Sequence, residues 1–398
     1  MNTTESGGER FEFLAQKLEA IRNADALRSL RPRVHLGTTL VESDGTQLIN
    51  FGSNDYLGLA TKAFDGIGVC AVPFLANGAG ASALVSGYTP LHQQLCQMLA
   101  DLEQTEAAVV FPSGYAACSG VVATLAEAGD LLLSDELNHA SLIDGCRLSR
   151  ASRIVFPHRD LRSLERTLEQ QRHQFARAWI VTDGVFGMDG DVAPLESLCD
   201  LAERFDAHLI VDEAHATGVL GDDGSGSCAE LGVKSRVPIR IGTLSKAIGS
   251  HGGFVVGPQR VIDYLVNRCR PLIFSTAGSP LTIAAAMNGL TTIRTEPQRR
   301  ARVRMLAERF RSQINMRLTR KVPETSIAGV PIVPVIVGNN RRVIQLAGML
   351  RERGFYVPAI RPPTVPAETA RLRVCISAGH SEEDIDRLVI AISSVMQS

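Results

Sequence analysis

The stretch Ile241-Gly242-Thr243-Leu244-Ser245-Lys246-Ala247-Ile248-Gly249-Ser250-His251-Gly252-Gly253 places one lysine between small hydroxyl residues and glycines. Apolar runs at 237–241 and 254–256 flank it and predict a strand on either side. Lysine is scarce in this chain, and Lys246 alone stands in an apolar, glycine-rich setting. Burial lowers the pKa of a lysine and makes its amine a nucleophile fit for Schiff-base chemistry. A surface lysine in a hairpin loop is the alternative, and this stretch alone leaves both open.

Short apolar runs alternate with helical patterns on both sides of this stretch. The predicted strands are 107–111, 131–134, 153–156, 178–182, 208–212, 239–242 and 254–256. Segments 91–102, 161–168 and 195–205 carry apolar residues at helical spacing between them. The alternation predicts an α/β domain with a mainly parallel, seven-stranded sheet covered by helices on both faces.

The two ends of the chain have different patterns. Phe11, Leu14, Leu18, Ile21, Leu27 and Leu30 predict an amphipathic helix over 11–30. The last third predicts helices at 299–318 and 341–353, strands at 331–337 and 371–377, and a final helix with a capping box at Ser381 and Asp384. We therefore divide the chain into an N-terminal helix and arm (1–48), a large domain (49–290) and a smaller α+β domain (291–398).

The composition excludes some classes of partner. The 398 residues carry a net charge of −1, with a sequence pI of about 6.8, so no global charge favours nucleic acid or an anionic membrane. No apolar run is long enough to cross a bilayer, and Met1 to Arg10 is polar, predicting a disordered start rather than a signal peptide. The eight scattered cysteines form no C-x-x-C pair, so no metal site is indicated, and we expect reduced thiols of a cytoplasmic protein.

Polar side chains stand where predicted strands end. Val211-Asp212-Glu213-Ala214-His215 closes one of them, and ligands of open α/β sheets bind at the carboxyl ends of strands. Asp212 can hold a positive charge there, and His215 can face the same ligand. The letters DEAH also occur in helicases, but those need a Walker A loop that this chain lacks. An acid that merely caps a turn would give the same pattern.

Two further strand ends carry candidate groups. Ser113-Gly114-Tyr115 opens a helix, whose first backbone N–H groups form an anion site, and Tyr115 can lie over a flat ring. His139 follows another strand and can stack on a planar cofactor, although a single histidine in a turn is more often structural. Thr243 and Ser245 add hydroxyls for a phosphate.

One cofactor unites these groups. Pyridoxal 5'-phosphate (PLP) needs a lysine, an acid for its pyridine nitrogen, a phosphate cup and a stacking group. Lys246, Asp212, the hydroxyl residues and His139 can supply these, each from a strand end.

Several motifs in fixed order resemble the α-oxoamine synthases, PLP enzymes with the type I aminotransferase fold. They are NFGSNDYLGL at 50–59, VSGY at 85–88, TDGVFGMDG at 182–190, DEAHATG at 212–218 and TLSK at 243–246. The resemblance covers the chain from about residue 30 to its end. It departs from the family at Gly187, where serine is usual, at Cys118, where asparagine is common, and at Ala83, where a larger residue is usual.

The resemblance implies roles for individual residues. Lys246 binds the cofactor and then takes the Cα proton of the amino acid, Asp212 contacts the pyridine nitrogen, and His215 contacts the phenolic oxygen. The remaining implied cofactor contacts are Ser113, Gly114, Tyr115, His139, Asp183, Thr243 and Ser245. Arg373 and Asn54 bind the substrate carboxylate, and Arg361 adds a substrate contact. Ser275 and Thr276 reach the phosphate of a partner subunit, which implies a homodimer with shared sites.

Two signals disagree on the substrates. The tail AIRPPTVP at 359–366 is similar to family members that condense L-alanine with pimeloyl-CoA, or with a pimeloyl carrier protein, and release CO2. Asp183 stands where those members usually have glutamate, and it matches members that join glycine to acetyl-CoA. We give the tail more weight because it shapes the substrate end. An aminotransferase of the same fold or a catalytically silent homologue would also be compatible with the fold.

Overall fold

The computed structural model describes residues 11–62 and 76–397. Its strands are β1 (Arg33–Leu36), β2 (Thr39–Glu42), β3 (Gln47–Asn50), β4 (Ala107–Phe111), β5 (Leu131–Asp135), β6 (Ser152–Phe156), β7 (Ala178–Asp183), β8 (Ala207–Asp212), β9 (Ile239–Thr243), β10 (Gly253–Gly257), β11 (Ile332–Gly338), β12 (Phe355–Tyr356), β13 (Ala359–Ile360) and β14 (Ala370–Cys375). Its α-helices are α1 (Glu12–Asn23), α2 (Pro90–Glu103), α3 (Gly114–Leu125), α4 (Ala140–Leu148), α5 (Leu161–Gln171), α6 (Leu195–Arg204), α7 (Ser227–Glu230), α8 (Gln259–Arg268), α9 (Arg270–Ile273), α10 (Pro280–Thr295), α11 (Gln298–Arg317), α12 (Asn340–Glu352) and α13 (Glu382–Gln397).

A seven-stranded sheet in the order β4-β10-β9-β8-β7-β5-β6 forms the centre of the protein. The seven predicted strands are its members, so the predicted mainly parallel α/β fold is confirmed. Only β10 runs antiparallel to its neighbours, β4 and β9. The remaining six strands therefore share one direction, and their carboxyl ends meet at one edge of the sheet.

Helices cover both faces of this sheet, as the continuous apolar runs of its strands require. On one face, Val121 of α3, Leu142 of α4 and Leu265 of α8 are buried against the sheet. On the opposite face, α5 and α6 bury Leu164 and Leu198. Each such side chain contributes about 1.5–3 kcal/mol when fully buried. The strand ends are thereby held on a rigid layer.

The last third forms the expected small α+β unit. Strands β11, β14 and β13 make an antiparallel sheet, with α11, α12 and α13 beside it. The capping box of α13 is confirmed: the Ser381 backbone N–H donates to Asp384 Oδ2 at 2.9 Å, and the Asp384 N–H donates to Ser381 Oγ at 3.0 Å. Strand β14 carries Arg371 and Arg373 toward the large sheet.

The N-terminal part differs from the prediction. Helix α1 ends at Asn23, and the predicted continuation to residue 30 is wrong because Asp25 adopts a left-handed backbone (φ 52°). Strands β1, β2 and β3 then form a sheet with β12. These strands were not predicted, because each is at most four residues long and carries polar residues. Within the described chain α1 buries no residue, so its apolar side chains are exposed.

Further sequence expectations concern the ends and the thiols. The predicted disorder of Met1 to Arg10 lies outside the described residues, as does Cys70. The seven described cysteines are buried free thiols. Between residues 11–62 and 76–397, no helix has the length and apolar character needed to span a membrane.

Candidate active site

Lys246 lies in the hairpin between β9 and β10, in the middle of the sheet. The hairpin is closed by the Leu244 N–H, which donates to Gly252 O at 3.0 Å, and Gly249 supplies the left-handed backbone (φ 76°) that turns it. Lys246 Nζ lies 2.8 Å from His215 Nε2. Burial lowers the pKa of Lys246, although the Asp212 and Asp183 carboxylates act against it. The lowered pKa agrees with the prediction, although Lys246 is partly exposed, and its role as a nucleophile stays a prediction.

Asp212 is the last residue of β8 and is buried. Its Oδ1 accepts from the Ala214 N–H at 2.9 Å, and its Oδ2 accepts from the Cys118 thiol at 3.1 Å. Burial and the neighbouring Asp212 carboxylate raise the pKa of Cys118 well above its ordinary value, so the thiol keeps its proton and donates it. Cys118 thus occupies the donor role that an asparagine amide can play.

The side chains of the DEAH segment, residues 212–215, point to two different sides of the end of β8. His215 is buried near Lys246, whereas Glu213 is buried on the side of α7. Glu213 accepts from the Ser227 N–H and hydroxyl at 2.8 and 2.6 Å and from the Cys228 N–H at 2.8 Å. Glu213 therefore holds a loop, while Asp212 and His215 form the site. Burial, with the charges of Lys246 and Arg373, lowers the pKa of His215 well below its ordinary value.

A group of hydroxyls and backbone N–H groups gathers at the start of α3. Ser113 caps the helix, and its Oγ accepts from the Ala116 N–H at 3.0 Å. A Cβ on Gly114 would lie 3.2 Å from Thr243 Oγ1, so the helix start directly adjoins the lysine hairpin. Ser245 is the exposed hydroxyl of that hairpin, 3.2 Å from Gly252 O. The structure thus brings these groups together at a helix N-terminus, and their role as an anion cup stays a prediction.

His139 caps α4 and is held by Asp183. The His139 N–H donates to Asp183 Oδ2 at 2.6 Å, and His139 Nδ1 lies 2.7 Å from Ser141 Oγ. Burial lowers the pKa of His139, with the Asp212 carboxylate opposing this and the Lys246 ammonium adding to it. Burial and the Asp212 charge raise the pKa of Asp183 well above its ordinary value. The Asp183 side chain thus fixes the backbone of His139 through this hydrogen bond.

His158 joins the two loops on which these groups stand. Its Nδ1 lies 2.9 Å from Asp135 Oδ1, at the start of the loop that leads to His139, and its Nε2 lies 2.7 Å from Asp191 Oδ2, at the end of the loop that contains Gly187. Burial alone would lower the pKa of His158, but hydrogen bonds and charges of both carboxylates outweigh it and raise the pKa to about 9.

The candidate substrate side contains Asn54 and Arg373. Arg373 is buried, its Nε donates to Gly187 O at 2.5 Å, and its Nη1 donates to Asn54 Oδ1 at 3.0 Å. Its Nη2 is a buried donor with no hydrogen-bond partner among the described residues. Tyr56 lies beside them, with its hydroxyl 3.2 Å from Asn54 Oδ1. Our sequence reasoning missed Tyr56, although it lies in the NFGSNDYLGL motif that pointed to Asn54.

Four predicted residues lie apart from this cluster. Tyr115 is half exposed and donates its hydroxyl hydrogen to Asp144. Ser275 and Thr276 line a surface groove of about 470 Å³, next to Tyr88 and Leu84. Arg361 follows β13, and its Nη1 donates to Asp25 O at 2.8 Å. The described contacts of these four residues do not connect them to Lys246.

The residues present fit PLP. A lysine with a lowered pKa, a strand-end carboxylate, a helix N-terminus with hydroxyls and an imidazole converge at one edge of the sheet. These are the groups that the aldehyde, the pyridine nitrogen, the phosphate and the ring of PLP require.

Comparison with known proteins identifies the family of this chain. The family model described as aminotransferase class I and II matches residues 46–392. An 8-amino-7-oxononanoate synthase from Lysinibacillus sphaericus is 42% identical over 387 residues, covering 96% of this chain and 97% of that protein. A structure of SPT with a PLP internal aldimine has a TM-score of 0.89 and 27% identity, covering 99% of both chains. The 8-amino-7-oxononanoate synthase from Francisella tularensis has a TM-score of 0.73 and 26% identity, covering 88% of this chain and 98% of its own.

The chain belongs to the aminotransferase class I and II family and, within it, to the α-oxoamine synthases, most like 8-amino-7-oxononanoate synthase. It is an enzyme with the type I fold, and its cofactor is PLP. The predicted family, fold and cofactor are therefore confirmed.

Proposed function

We propose that this enzyme condenses L-alanine with a pimeloyl thioester, carried by CoA or by a carrier protein, to 8-amino-7-oxononanoate in biotin biosynthesis. One C–C bond forms between the alanine Cα and the acyl carbon, the C–S bond breaks with release of the thiol, and the alanine carboxylate leaves as CO2. The name of the relatives and the AIRPPTVP tail support these substrates.

The observation that carries the proposal is the buried guanidinium of Arg373. Its orphaned Nη2 is a donor without a partner among the described residues, and such a group costs free energy until an acceptor arrives. A substrate carboxylate is the acceptor that a guanidinium binds best. Asn54 Oδ1 holds Nη1 of the same guanidinium in place, so it orients Arg373. Arg373 also contributes to the lowered pKa of Lys246, which supports a carboxylate site close to that amine.

The remaining residues have roles that follow from their surroundings. When bound, PLP supplies an electron sink that acidifies the amino acid Cα. Lys246 Nζ would bind the cofactor and accept the Cα proton, a role toward which burial lowers its pKa. Asp212 would hold the pyridine nitrogen, His139 the ring and His215 the phenolic oxygen. Ser113, Gly114, Thr243 and Ser245 would hold the phosphate. Tyr115, whose hydroxyl donates to Asp144, and Asp183, which would act through His139, complete the proposed cofactor contacts.

A homodimer with shared sites completes the proposal. Leu84, Val85, Tyr88 and Phe274 are exposed apolar side chains around the groove that Ser275 and Thr276 line. Exposed apolar patches of this kind mark association surfaces. We propose that a second copy of the chain covers this face. Ser275 and Thr276 of one subunit would then contact the phosphate of the PLP bound to the other subunit. The buried free thiols are suited to a reducing, cytoplasmic compartment.

The alternative is glycine C-acetyltransferase, which Asp183 favours. In the structure Asp183 accepts from the His139 backbone and is buried, so its identity affects the packing under His139 rather than the substrate end. Arg361 lies in the tail that distinguishes the two activities, and its Nε is a buried donor without a partner among the described residues. We therefore favour the pimeloyl substrate.

Thiol release decides between these activities. The PLP-loaded enzyme is offered L-alanine or glycine against pimeloyl-CoA or acetyl-CoA, with Lys246→Ala as the inactive control. We expect release with alanine and pimeloyl-CoA. Release only with glycine and acetyl-CoA would establish the alternative, and transamination without thiol release would establish an aminotransferase.

A further inference from the structure

A chain of three side chains crosses the candidate site. The Tyr56 hydroxyl lies 2.7 Å from His215 Nδ1, and His215 Nε2 lies 2.8 Å from Lys246 Nζ. Tyr56 is fully buried and His215 is 5% exposed, so water does not compete for the contact between these two side chains. The position of one hydrogen on the His215 ring therefore decides what the ring offers to the site.

Distances and partners assign that hydrogen. Tyr56 has one hydroxyl hydrogen and two neighbouring acceptors, Asn54 Oδ1 at 3.2 Å and His215 Nδ1 at 2.7 Å. The shorter distance is common for an O–H donor and lies at the short end of the range for N–H donors, about 2.7–3.2 Å, so it favours the hydroxyl as the donor. Asn54 Oδ1 already accepts from Arg373 at 3.0 Å. Because burial, together with the nearby Arg373 guanidinium, keeps the ring neutral, a ring that accepts at Nδ1 carries its hydrogen on Nε2.

Gly187 makes room for this arrangement. A Cβ on Gly187 would lie 2.3 Å from His215 Nε2, closer than any real contact allows. Residue 187 cannot easily retreat, because its carbonyl oxygen accepts from Arg373 Nε. The imidazole thus occupies the space in which the side chain of a serine at position 187 would begin. The ring atom that lies closest to this position is Nε2.

We propose that Tyr56 is a positioning residue that holds His215 in the Nε2–H tautomer, and that Gly187 is needed for that N–H to point at Lys246. The N–H can then donate to the free amine, or to an anionic oxygen such as the phenolic oxygen of PLP. The inference rests on the proposed function for the identity of that oxygen. The tautomer itself is a property of the protein alone.

Nitrogen NMR of the apoprotein tests the tautomer. Long-range ¹H–¹⁵N spectra of the ¹⁵N-histidine-labelled protein distinguish protonated from unprotonated ring nitrogens, and His215→Gln identifies the signals. We expect a protonated Nε2 and an unprotonated Nδ1 in the unmodified protein. A hydrogen on Nδ1 would overturn the proposal, and this result is read on the unmodified protein once the signals are identified.

Two variants test the causes. Tyr56→Phe should shift the His215 signals toward the Nδ1–H form, while the matched change Tyr88→Phe, at a hydroxyl 3.9 Å from Cys96 Sγ, should leave them unchanged. Gly187→Ala should shift the Nε2 signal and move the visible absorbance of the PLP-loaded protein. Unchanged His215 signals in a folded Tyr56→Phe or Gly187→Ala variant would refute the respective role. Failure of thiol release with every substrate would contradict only the proposed function.

Discussion

His158 provides the sharpest quantitative prediction. It stands between Asp135 and Asp191, with its side chain 21% exposed, and the two carboxylates raise its pKa from 6.5 to about 9. Arg159 is a further charged group at this place, 3.2 Å from Asp191 Oδ2, and it competes for the same carboxylate. Because the folded-state pKa is above the unfolded value, protonated His158 stabilises the fold fully below pH 6.5. That stabilisation is lost as the pH rises through about 9.

The size of the effect follows from the shift. Each pKa unit corresponds to about 1.4 kcal/mol, so the shift is worth about 3 kcal/mol in the free energy of unfolding. Removing the imidazole in His158→Asn leaves Asp135 and Asp191 without their shared cation. We expect a lower melting temperature at pH 6, with a difference from the unmodified protein that shrinks by pH 10.

Two measurements check this prediction. The Cε1 proton shift of His158, assigned through His158→Asn, gives its pKa directly in the folded protein, and melting temperatures at several pH values give the stability. The matched control is His208→Asn, on strand β8 beside Trp179. A His158 midpoint near 6.5, or a melting difference that does not depend on pH, would refute the reasoning.

The remaining predictions concern the site and its frame. Arg373→Lys should raise the KM for the amino acid about tenfold or more, since a charged hydrogen bond is worth about 1.5–3 kcal/mol, and an unchanged KM in steady-state assays would exclude the carboxylate role. Cys118→Ala removes one donor from Asp212 and should weaken PLP binding severalfold in a fluorescence titration, whereas Cys146→Ala should not. Gly249→Ala should lower the melting temperature, because the backbone there is left-handed (φ 76°) and the new Cβ would lie 2.7 Å from the Leu59 backbone.

The central sheet could be predicted from the sequence for a physical reason. Buried parallel strands need uninterrupted apolar runs, and several runs here are closed or followed by a polar residue of the site, such as Asp212 or His139. The edge of the sheet that carries the site could therefore be located from the sequence.

The contacts that were not predictable are those between distant segments. Tyr56 meets His215 across 159 positions, and Gly187 matters only because the His215 ring lies against it. Residue spacing carries no signal for such packing. The end of helix α1 at Asn23 was not predicted, for a local reason. Asp25 adopts a left-handed backbone conformation, and the spacing of the apolar residues around it carries no signal for that conformation.

The antiparallel strand β10 has a consequence for how such an enzyme can change. Since β9 and β10 are paired along their lengths and both are flanked by further strands, the hairpin that contains Lys246 has fixed anchors at Thr243 and Gly253. Inserting a single residue there would either shift the pairing register or move the amine away from Asp212 and His215. Insertions and deletions are therefore expected in the surface loops that connect other strands and helices. A change of substrate specificity must then arise by substitution of residues around the Lys246 hairpin, whose length stays constant.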